Sequence, residues 1–252
     1  MTWLLTLAFD GTEYCGFQVQ PNGRSVAAAF QDGLEAVIGR RPDIKGCSRT
    51  DAGVHALGFA LSFEADLRIP PEKLPLALNT KLPRDIRVLS ARVVPDGFHA
   101  RYAAHTKTYL YRIHNSAIDS PFEERYYCRI PGRLDVARMQ QAAAGFVGTH
   151  DFLALCAAHS SAAAHGDTVR TITACGVERH GDTVEITVTA DGYLYNMVRI
   201  LAGTLCEAGA GRLDPAAVPA ILASRDRKNA GPTLPAKGLF LHHVDYGKEA
   251  EG

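Results

Sequence analysis

Residues 46–56, Gly-Cys-Ser-Arg-Thr-Asp-Ala-Gly-Val-His-Ala, form the most informative stretch of this chain. Arg49 and Asp51 stand two residues apart, so an extended backbone would direct both side chains to the same face. A guanidinium group that close favours the ionised carboxylate, and we therefore expect Asp51 to be charged at neutral pH. Gly53 accepts a positive φ at little steric cost, which suits a tight turn that presents Asp51 at the rim of a cleft. Taken alone, such an arginine–aspartate pair is more often structural than functional.

The size and composition of the chain are those of a globular protein. Its 252 residues suffice for one large domain or two smaller ones. Hydrophobic residues make up 46% and charged residues 21%, which argues against extensive disorder. No apolar run reaches about 18 residues, so we expect no membrane-spanning helix. Residues 1–9 lack a basic segment and a cleavage site, and they therefore predict a first strand, no signal peptide and a cytoplasmic location.

The cysteines and histidines give no sign of a metal site. The six cysteines (15, 47, 128, 156, 175 and 206) include no C-x-x-C pair, which argues against structural zinc and against a disulfide scaffold. We expect them to be reduced and mostly buried. Among the ten histidines, His242-His243 and His150-Asp151 lack further ligands at a recognisable spacing. We therefore expect no metal.

The net charge gives no support to nucleic-acid binding. Lysine and arginine together number 27, as do aspartate and glutamate, whereas RNA-binding proteins are often basic overall. Local clusters of positive charge are nevertheless present, namely Lys81/Arg84/Arg87/Arg92, Arg101/His105/Lys107/Arg112 and Arg225/Arg227/Lys228. Each of these clusters is more simply explained as solvent-exposed surface than as an RNA-binding site. RNA binding by this chain would have to depend on where the charges lie.

The first part of the chain predicts alternating strands and helices. Strands are expected at residues 3–9, 44–47, 59–63 and 86–94, and helices at residues 26–38 and 72–79. Ser25 precedes the longer helix and can cap its first turn.

The second part of the chain continues in the same style. Strands are expected at residues 107–114, 169–177, 183–190 and 239–245, and helices at residues 135–147, 196–208 and 214–224. Residues 160–166 are small and polar enough for a mobile loop. These elements predict an α+β protein with two sheet-based lobes whose mixed or antiparallel β-sheets are flanked by helices. We expect an N-terminal lobe over 1–103 that carries the Asp51 loop, a C-terminal lobe over 104–247, and a tail over 248–252.

Several motifs together resemble those of one family. The opening stretch resembles R-T-D-A-G-V-H-A, and residues 9–12 and 14–18 resemble Y-D-G-T and Y-x-G-W-Q. Residues 98–101 and 107–111 are similar to F-H-A-R and K-x-Y-x-Y, and residues 168–172, 193–199 and 237–241 match further patterns. All belong to the TruA family of tRNA pseudouridine synthases. The motifs occur in the correct order from residue 4 to about residue 246, so the resemblance covers nearly the whole chain.

The resemblance implies a pseudouridine synthase fold with the active-site cleft between the two lobes. It also implies isomerisation of uridine to pseudouridine in the anticodon stem-loop of tRNA, at nucleotides 38, 39 and/or 40. The partners it implies are tRNA and a second copy of the chain in a homodimer, with no cofactor, no metal and no membrane.

The same resemblance assigns roles to four residues. Asp51 is implied as the nucleophile, attacking either the ribose or the base. Arg49 would intercalate or contact the backbone of the flipped nucleotide, and Tyr109 would stack on the uracil and is a candidate for proton transfer at C5. Arg199 would pair with Asp51 and orient it. Without the resemblance, Arg49 could be merely a partner of Asp51, Tyr109 a core residue like Tyr111 on the same strand face, and Arg199 a snorkelling arginine.

The chain departs from the family motifs at two positions. Ser48 stands where the family has glycine, and we expect it to have an ordinary negative φ with the loop intact. Phe17 replaces tryptophan and should change only packing.

Two other functions are possible alternatives. The first is a noncatalytic RNA-binding or tRNA-chaperone paralogue, although Asp51, Tyr109 and Arg199 are all present. The second is a glycosidase or nucleosidase, which needs two facing carboxyl groups, whereas the motifs supply only one. His55 is expected to be a structural histidine.

Overall fold

A computed structural model describes residues 1–21, 23–157 and 161–250 of the chain. The chain divides into two compact units, one formed by Met1–Lys107 with Phe240–Gly252 and the other by Thr108–Leu239. Both units contain strands and helices, which confirms the α+β class. Within the described residues, no helix is both long and apolar enough to span a membrane.

The strands and helices are numbered here in chain order. The strands are β1 (Thr2–Phe9), β2 (Ile44–Gly46), β3 (His55–Glu64), β4 (Ile86–Val94), β5 (Thr106–His114), β6 (Cys128–Arg129), β7 (Gly148–Asp151), β8 (Val169–His180), β9 (Thr183–Ala190) and β10 (Leu239–Asp245). The helices are α1 (Val26–Ile38), α2 (Leu74–Asn79), α3 (Val136–Ala144), α4 (Ser161–His165), α5 (Met197–Gly209) and α6 (Val218–Ser224).

The sheet of the first unit has the order β4-β1-β3-β10, with β2 also paired to β3. Strand β1 is antiparallel to both neighbours, whereas β10 runs parallel to β3. The pairing of β1 with β3 begins at Thr2–Glu64 and reaches Phe9–Ala56 after a register shift between Leu7 and Phe9. The shift lies at the end of β1 where β3 begins, next to the loop that carries Asp51.

Helix α1 forms where the sequence predicts it and for the predicted reason. The Ser25 hydroxyl accepts a hydrogen bond from the Ala28 N–H over 3.2 Å, which satisfies one unpaired donor of the first turn. At the other end, Gly39 adopts φ +74° and its N–H donates to the Glu35 carbonyl. Phe30 and Leu34 lie fully buried on the inner face of the helix.

The sheet of the second unit has the order β5-β9-β8-β7, and β6 pairs in parallel with β5. Strands β8 and β9 form the expected antiparallel pair across the turn at Gly181, which has φ +62°. Helix α3 packs against α5 and β8. A Cβ atom on Gly209 would lie 2.7 Å from the Met139 side chain, so this glycine allows α3 and α5 to pack closely.

Several predicted elements differ from the structure. Strand β3 begins at His55 and not at residue 59, β8 ends at His180 and not at residue 177, and the short strands β6 and β7 were not predicted. Helix α3 ends at Ala144 and not at residue 147, because the N–H groups of Gly145 and Phe146 bond three residues back and close the helix as a tighter turn. The predicted helix over 214–224 is divided, since Pro219 lacks an N–H group and the α-helix begins anew at Val218. The loop expected at 160–166 is wrong for Ser161–His165, which is helical, while residue 160 lies outside the described residues.

Candidate active site

Asp51 lies in the turn between β2 and β3. The Val54 N–H donates to the Asp51 carbonyl over 3.2 Å, and Gly53 has φ +75°, the left-handed conformation expected for it. Arg49 is exposed, Thr50 is buried and Asp51 is partly exposed. This alternation directs Arg49 and Asp51 away from the core of the first unit.

A second loop, residues 10–18, supports the Asp51 turn from behind through main-chain atoms. The Gly53 N–H donates to the Tyr14 carbonyl over 3.2 Å, and the Phe17 N–H donates to the Thr50 carbonyl over 3.1 Å. Two glycines permit this approach. A Cβ atom at Gly11 would lie 2.0 Å from the Val54 carbonyl oxygen, and one at Gly16 would lie 2.5 Å from the Thr50 carbonyl oxygen. The glycines of the first two sequence motifs therefore serve the Asp51 turn.

Tyr14 anchors this supporting loop to the first unit. It is buried, and its hydroxyl donates to the Asp85 carboxylate over 2.7 Å. The Asp10 N–H also donates to the Asp85 carbonyl, and the Arg24 guanidinium lies 4.9 Å from the Tyr14 ring centroid. Burial, and then the hydrogen bond to Asp85, raises the pKa of Tyr14 well above its ordinary value. Tyr14 is therefore a neutral donor at physiological pH.

His55, at the start of β3, is fixed on both sides. Its Nδ1 accepts the Gly11 N–H over 3.0 Å, and its ring stacks on Phe240 with 4.7 Å between centroids. The side chain is almost completely buried. These contacts tie the start of β3 to the supporting loop.

The two departures from the family motifs leave the turn intact. Ser48 is not among the non-glycine residues with positive φ in the described parts of the chain, so its predicted ordinary φ is confirmed. The Phe17 ring stacks on Phe59 with 4.4 Å between centroids. A Cβ atom at Gly46 would lie 2.4 Å from the Phe17 ring, so glycine at that position makes room for the aromatic side chain.

In the second unit, β5 presents two tyrosines with different surroundings. Tyr109 is 5% exposed and meets the Tyr193 ring edge-on, with 4.8 Å between centroids. Burial, and then the nearby Tyr109, raises the pKa of Tyr193 well above its ordinary value. Tyr111 is fully buried, and its hydroxyl donates to the Pro235 carbonyl over 2.8 Å. The Tyr111 hydroxyl therefore has a structural partner inside its own unit.

Arg199 lies in the first turn of α5 and has acceptors on two sides. Its Nε donates to the Leu234 carbonyl over 2.6 Å, and its Nη1 donates to the Asn196 side-chain oxygen over 2.8 Å. The Leu234 N–H in turn donates to the Arg199 carbonyl over 3.3 Å. These bonds supply the polar partners that a half-buried arginine needs.

The segment over 231–235, which includes Leu234, is itself held on α5. The Gly231 N–H donates to the Thr204 hydroxyl over 2.9 Å. A Cβ atom at Gly203 would lie 1.9 Å from the Pro232 carbonyl oxygen, so only glycine lets the segment lie so close to the helix. The position of the Leu234 carbonyl, and with it that of Arg199, follows from this packing.

The predicted site residues are thus distributed over both units. Arg49 and Asp51 share one turn of the first unit, and Tyr109 and Arg199 belong to the second. Sequence reasoning missed four supporting residues: Tyr14, Asp85, Asn196 and Leu234. Leu234 acts through its carbonyl and leaves no side-chain signal, whereas Tyr14 belongs to a motif whose purpose the sequence did not reveal. In the described residues, no group of three or more His, Cys, Asp or Glu side chains could hold a metal ion.

Comparisons with known proteins agree with these motifs. A family model described as tRNA pseudouridine synthase matches residues 6–103 and 142–247. The tRNA pseudouridine synthase A of Moorella thermoacetica is 46% identical over 96% of this chain and 98% of its own length. The enzymes of the same name from Caldicellulosiruptor saccharolyticus and Bacillus pumilus are each 42% identical over 96% of this chain, covering 98% and 97% of their lengths.

Among solved structures, a chain of the crystal structure of a Cbf5-Nop10-Gar1 complex is similar at a TM-score of 0.37 and 11% identity, over 94% of this chain and 57% of that chain. That likeness is too low to add to the sequence comparisons. The match of the family model over both halves of the chain and the identity to full-length relatives lead to one conclusion. This chain belongs to the tRNA pseudouridine synthase family.

Proposed function

We propose that this protein isomerises uridine to pseudouridine in the anticodon stem-loop of tRNA, at nucleotides 38, 39 and/or 40, with Asp51 as the nucleophile. Family membership makes the protein an isomerase of tRNA uridines. The observation that carries the proposed role of Asp51 is its setting. It is a partly exposed carboxylate in the turn that matches the family signature, and main-chain hydrogen bonds on both sides hold that turn.

The reaction needs a nucleophile and a way to turn the base, and no atom is added overall. The bond between ribose C1′ and uracil N1 breaks, the uracil rotates, and C5 bonds to C1′. The hydrogen on C5 leaves as a proton, and N1 gains one. A carboxylate suits this chemistry because it is ionised at neutral pH and needs no base to activate it. Asp51 would attack either the ribose or the base, and both routes leave the same product.

The remaining site residues handle the nucleotide. A uridine stacked in RNA is out of reach of a carboxylate, so it must be extruded from the stack. Arg49, which is exposed beside Asp51, would intercalate or contact the backbone of the flipped nucleotide. Tyr109 would stack on the uracil and is a candidate for proton transfer at C5. Arg199 would pair with Asp51 and keep the carboxylate oriented and ionised.

Tritium release tests the proposal directly. The native protein, given unmodified tRNA transcripts labelled with tritium at uridine C5, should release the label, because forming the C5–C1′ bond expels that hydrogen. The Asp51→Ala variant should bind the same transcripts and release none. Tritium release by Asp51→Ala would contradict the assignment of Asp51 as the nucleophile. Intact tRNA binding without release by the native protein would favour the noncatalytic tRNA-chaperone alternative.

The target positions need a second measurement. Transcripts in which the uridine at nucleotide 38, 39 or 40 is replaced by cytidine, one at a time, should each lose the corresponding share of tritium release. Release that is unchanged in a transcript lacking all three uridines would place the target outside this part of the anticodon stem-loop.

We also propose that the enzyme is a cytoplasmic homodimer, as its resemblance to the family implies. Light scattering on the purified protein should give twice the chain mass of 27.2 kDa. A mass of one chain at micromolar concentration would contradict the dimer. Fractionation of cells that express the chain should recover it with the cytoplasmic proteins, and recovery with membranes would contradict that location.

A further inference from the structure

Asn196 stands out by its backbone conformation. It has φ +61° and ψ +7°, and apart from Arg225 no other non-glycine residue of the described chain has a positive φ. Asparagine is among the few residues that adopt this left-handed conformation readily. Non-glycine residues held in this region occur often at functional sites, where the surrounding structure maintains them.

The side chain of Asn196 does not cap the helix at whose N-terminus it lies. Asn196 is the N-cap residue of α5, where an asparagine side chain normally accepts an N–H of the first helical turn. Here it makes no such bond. Its Oδ1 accepts instead from Arg199 Nη1, over 2.8 Å. The carboxamide is therefore directed at the arginine and away from the helix end.

Two bonds from separate segments fix the plane of the Arg199 guanidinium. Nε is held by the Leu234 carbonyl and Nη1 by Asn196. A guanidinium is planar and carries five N–H donors in a rigid arrangement. With Nε and Nη1 both engaged, the group cannot turn about its side chain, and the direction of its other three N–H groups is set.

Both acceptors are also neutral. A main-chain carbonyl and a carboxamide oxygen orient a guanidinium but do not cancel its charge, whereas a carboxylate at the same place would do both. Neither Leu234 nor Asn196 therefore offsets the positive charge of Arg199.

We propose that Asn196 is a positioning residue of the active site: through its left-handed backbone and its neutral oxygen, it orients Arg199 without neutralising it. The inference rests on the proposed function, in which Arg199 acts on Asp51. Asparagine suits the position because it combines tolerance of positive φ with an uncharged acceptor. Glycine has only the first property, and aspartate has the tolerance but adds a charge.

These three residues give a matched set of variants. Asn196→Gly keeps the backbone conformation and removes the acceptor. We expect kcat on tRNA to fall about tenfold or more, since a hydrogen bond to a charged group is lost, with KM and the melting temperature nearly unchanged. Asn196→Asp keeps the acceptor but neutralises Arg199, and its kcat should fall as well. Native kcat in either variant would overturn the inference, as would a melting temperature of Asn196→Gly that falls by about ten degrees, which is a loss of several kcal/mol.

A double-mutant cycle then tests whether Asn196 acts through Arg199. In an Arg199→Lys background, which keeps a charge but cannot make both bonds, Asn196→Gly should change kcat by less than about twofold. An undiminished effect in that background would show that Asn196 acts by another route. The proposed function fails separately, by absence of tritium release from the native protein, so the two failures are distinguishable.

Discussion

The N–H of Gly53 donates to the carbonyl of Tyr14 over 3.2 Å, so the turn that carries Asp51 is joined to the loop after β1 by main-chain atoms. A contact of this kind does not depend on which side chain Tyr14 carries, but it depends on how closely the two loops approach. Variants that separate the loops should therefore lower the rate, although they do not touch the carboxylate.

Gly16→Ala tests that closeness. The new Cβ atom would lie 2.5 Å from the Thr50 carbonyl oxygen, and φ is +96°. We expect the steric clash to cost about 1–3 kcal/mol beyond the backbone strain and kcat to fall with it. Gly39→Ala is the control, because φ there is +74° and nothing lies within 4 Å of the new atom. Its cost should be about 1–2 kcal/mol of backbone strain, with native kcat. Equal losses of stability and rate in the two variants would contradict the prediction.

Tyr14→Phe tests the anchor of the supporting loop. It leaves the Asp85 carboxylate oxygen without the hydroxyl donor that lies 2.7 Å away. We expect the free energy of unfolding to fall by about 1–3 kcal/mol, measured by urea titration. Asp85→Asn retains an acceptor oxygen and should lose less. A greater loss in Asp85→Asn than in Tyr14→Phe would show that the charge of Asp85 matters more than the hydrogen bond.

Tyr109 and Tyr111 share one face of β5 but should respond differently to loss of the hydroxyl. Tyr111→Phe breaks the bond to the Pro235 carbonyl and should reduce stability by about 1–3 kcal/mol while kcat stays near native. Tyr109→Phe should reduce kcat well below that of Tyr111→Phe, because the Tyr109 hydroxyl is proposed to transfer the C5 proton. Thermal unfolding and tritium release on both variants make the comparison. A larger loss of kcat in Tyr111→Phe than in Tyr109→Phe would show that the catalytic role belongs to Tyr111 and not to Tyr109.

Stability should fall steeply in alkaline solution. Burial raises the pKa of the Cys47 thiol from 9.0 to about 12. Because the folded pKa is the higher one, the thiol's contribution is fully present below about pH 9 and is lost as the pH rises toward 12. In that window it should account for up to about 1.4 kcal/mol per pH unit. Urea titrations between pH 8.5 and 11 should show a shallower decline for Cys47→Ser, and parallel declines would rule out this thiol as a contributor.

Binding of tRNA should weaken strongly with salt although the net charge is zero. Each phosphate neutralised by a cationic side chain contributes about 0.7–0.9 to the slope of log K against log salt concentration. Arg101→Ala should reduce the magnitude of that slope by about 0.7–0.9, the contribution of one phosphate contact. Arg212→Ala is the control, because Glu207 already binds that guanidinium through both oxygens. A flat response of the native protein between low and moderate salt would contradict phosphate contacts.

Local features could be predicted from the sequence because their causes are local. The Ser25 hydroxyl caps α1 through an N–H three residues away, and the turn at Gly53 is closed by the bond from the Val54 N–H to the Asp51 carbonyl. The ordinary φ of Ser48 followed from the same kind of reasoning. Helix ends were predicted less well, since Gly145 and Pro219 change the hydrogen-bond pattern within a single turn.

Long-range features could not be predicted in this way. Strand β10 pairs in parallel with β3, so that Phe240 lies opposite His55, far from it along the chain. A periodicity shows that a strand exists but not which neighbour it has. The acceptor of Arg199 Nε is a carbonyl 35 residues away, and any residue type would supply it. The glycines of loop 10–18 matched family motifs, yet only their distance from the Asp51 turn explains why a side chain is excluded there.

Main-chain carbonyls hold candidate site residues in each of the two units, and this has an evolutionary consequence. The Leu234 carbonyl can hold Arg199 whatever side chain that position acquires, whereas Tyr14 is also constrained by the bond from its hydroxyl to Asp85. A substitution of Leu234 should therefore have little effect on the reaction rate as long as the backbone at that position stays in place. Gly203 permits that placement, and no other residue can replace it, because a Cβ atom there would collide with the Pro232 carbonyl oxygen. Selection for the reaction rate is therefore expected to act on Gly203 through the backbone placement it permits, and not only on the residues proposed to contact the RNA.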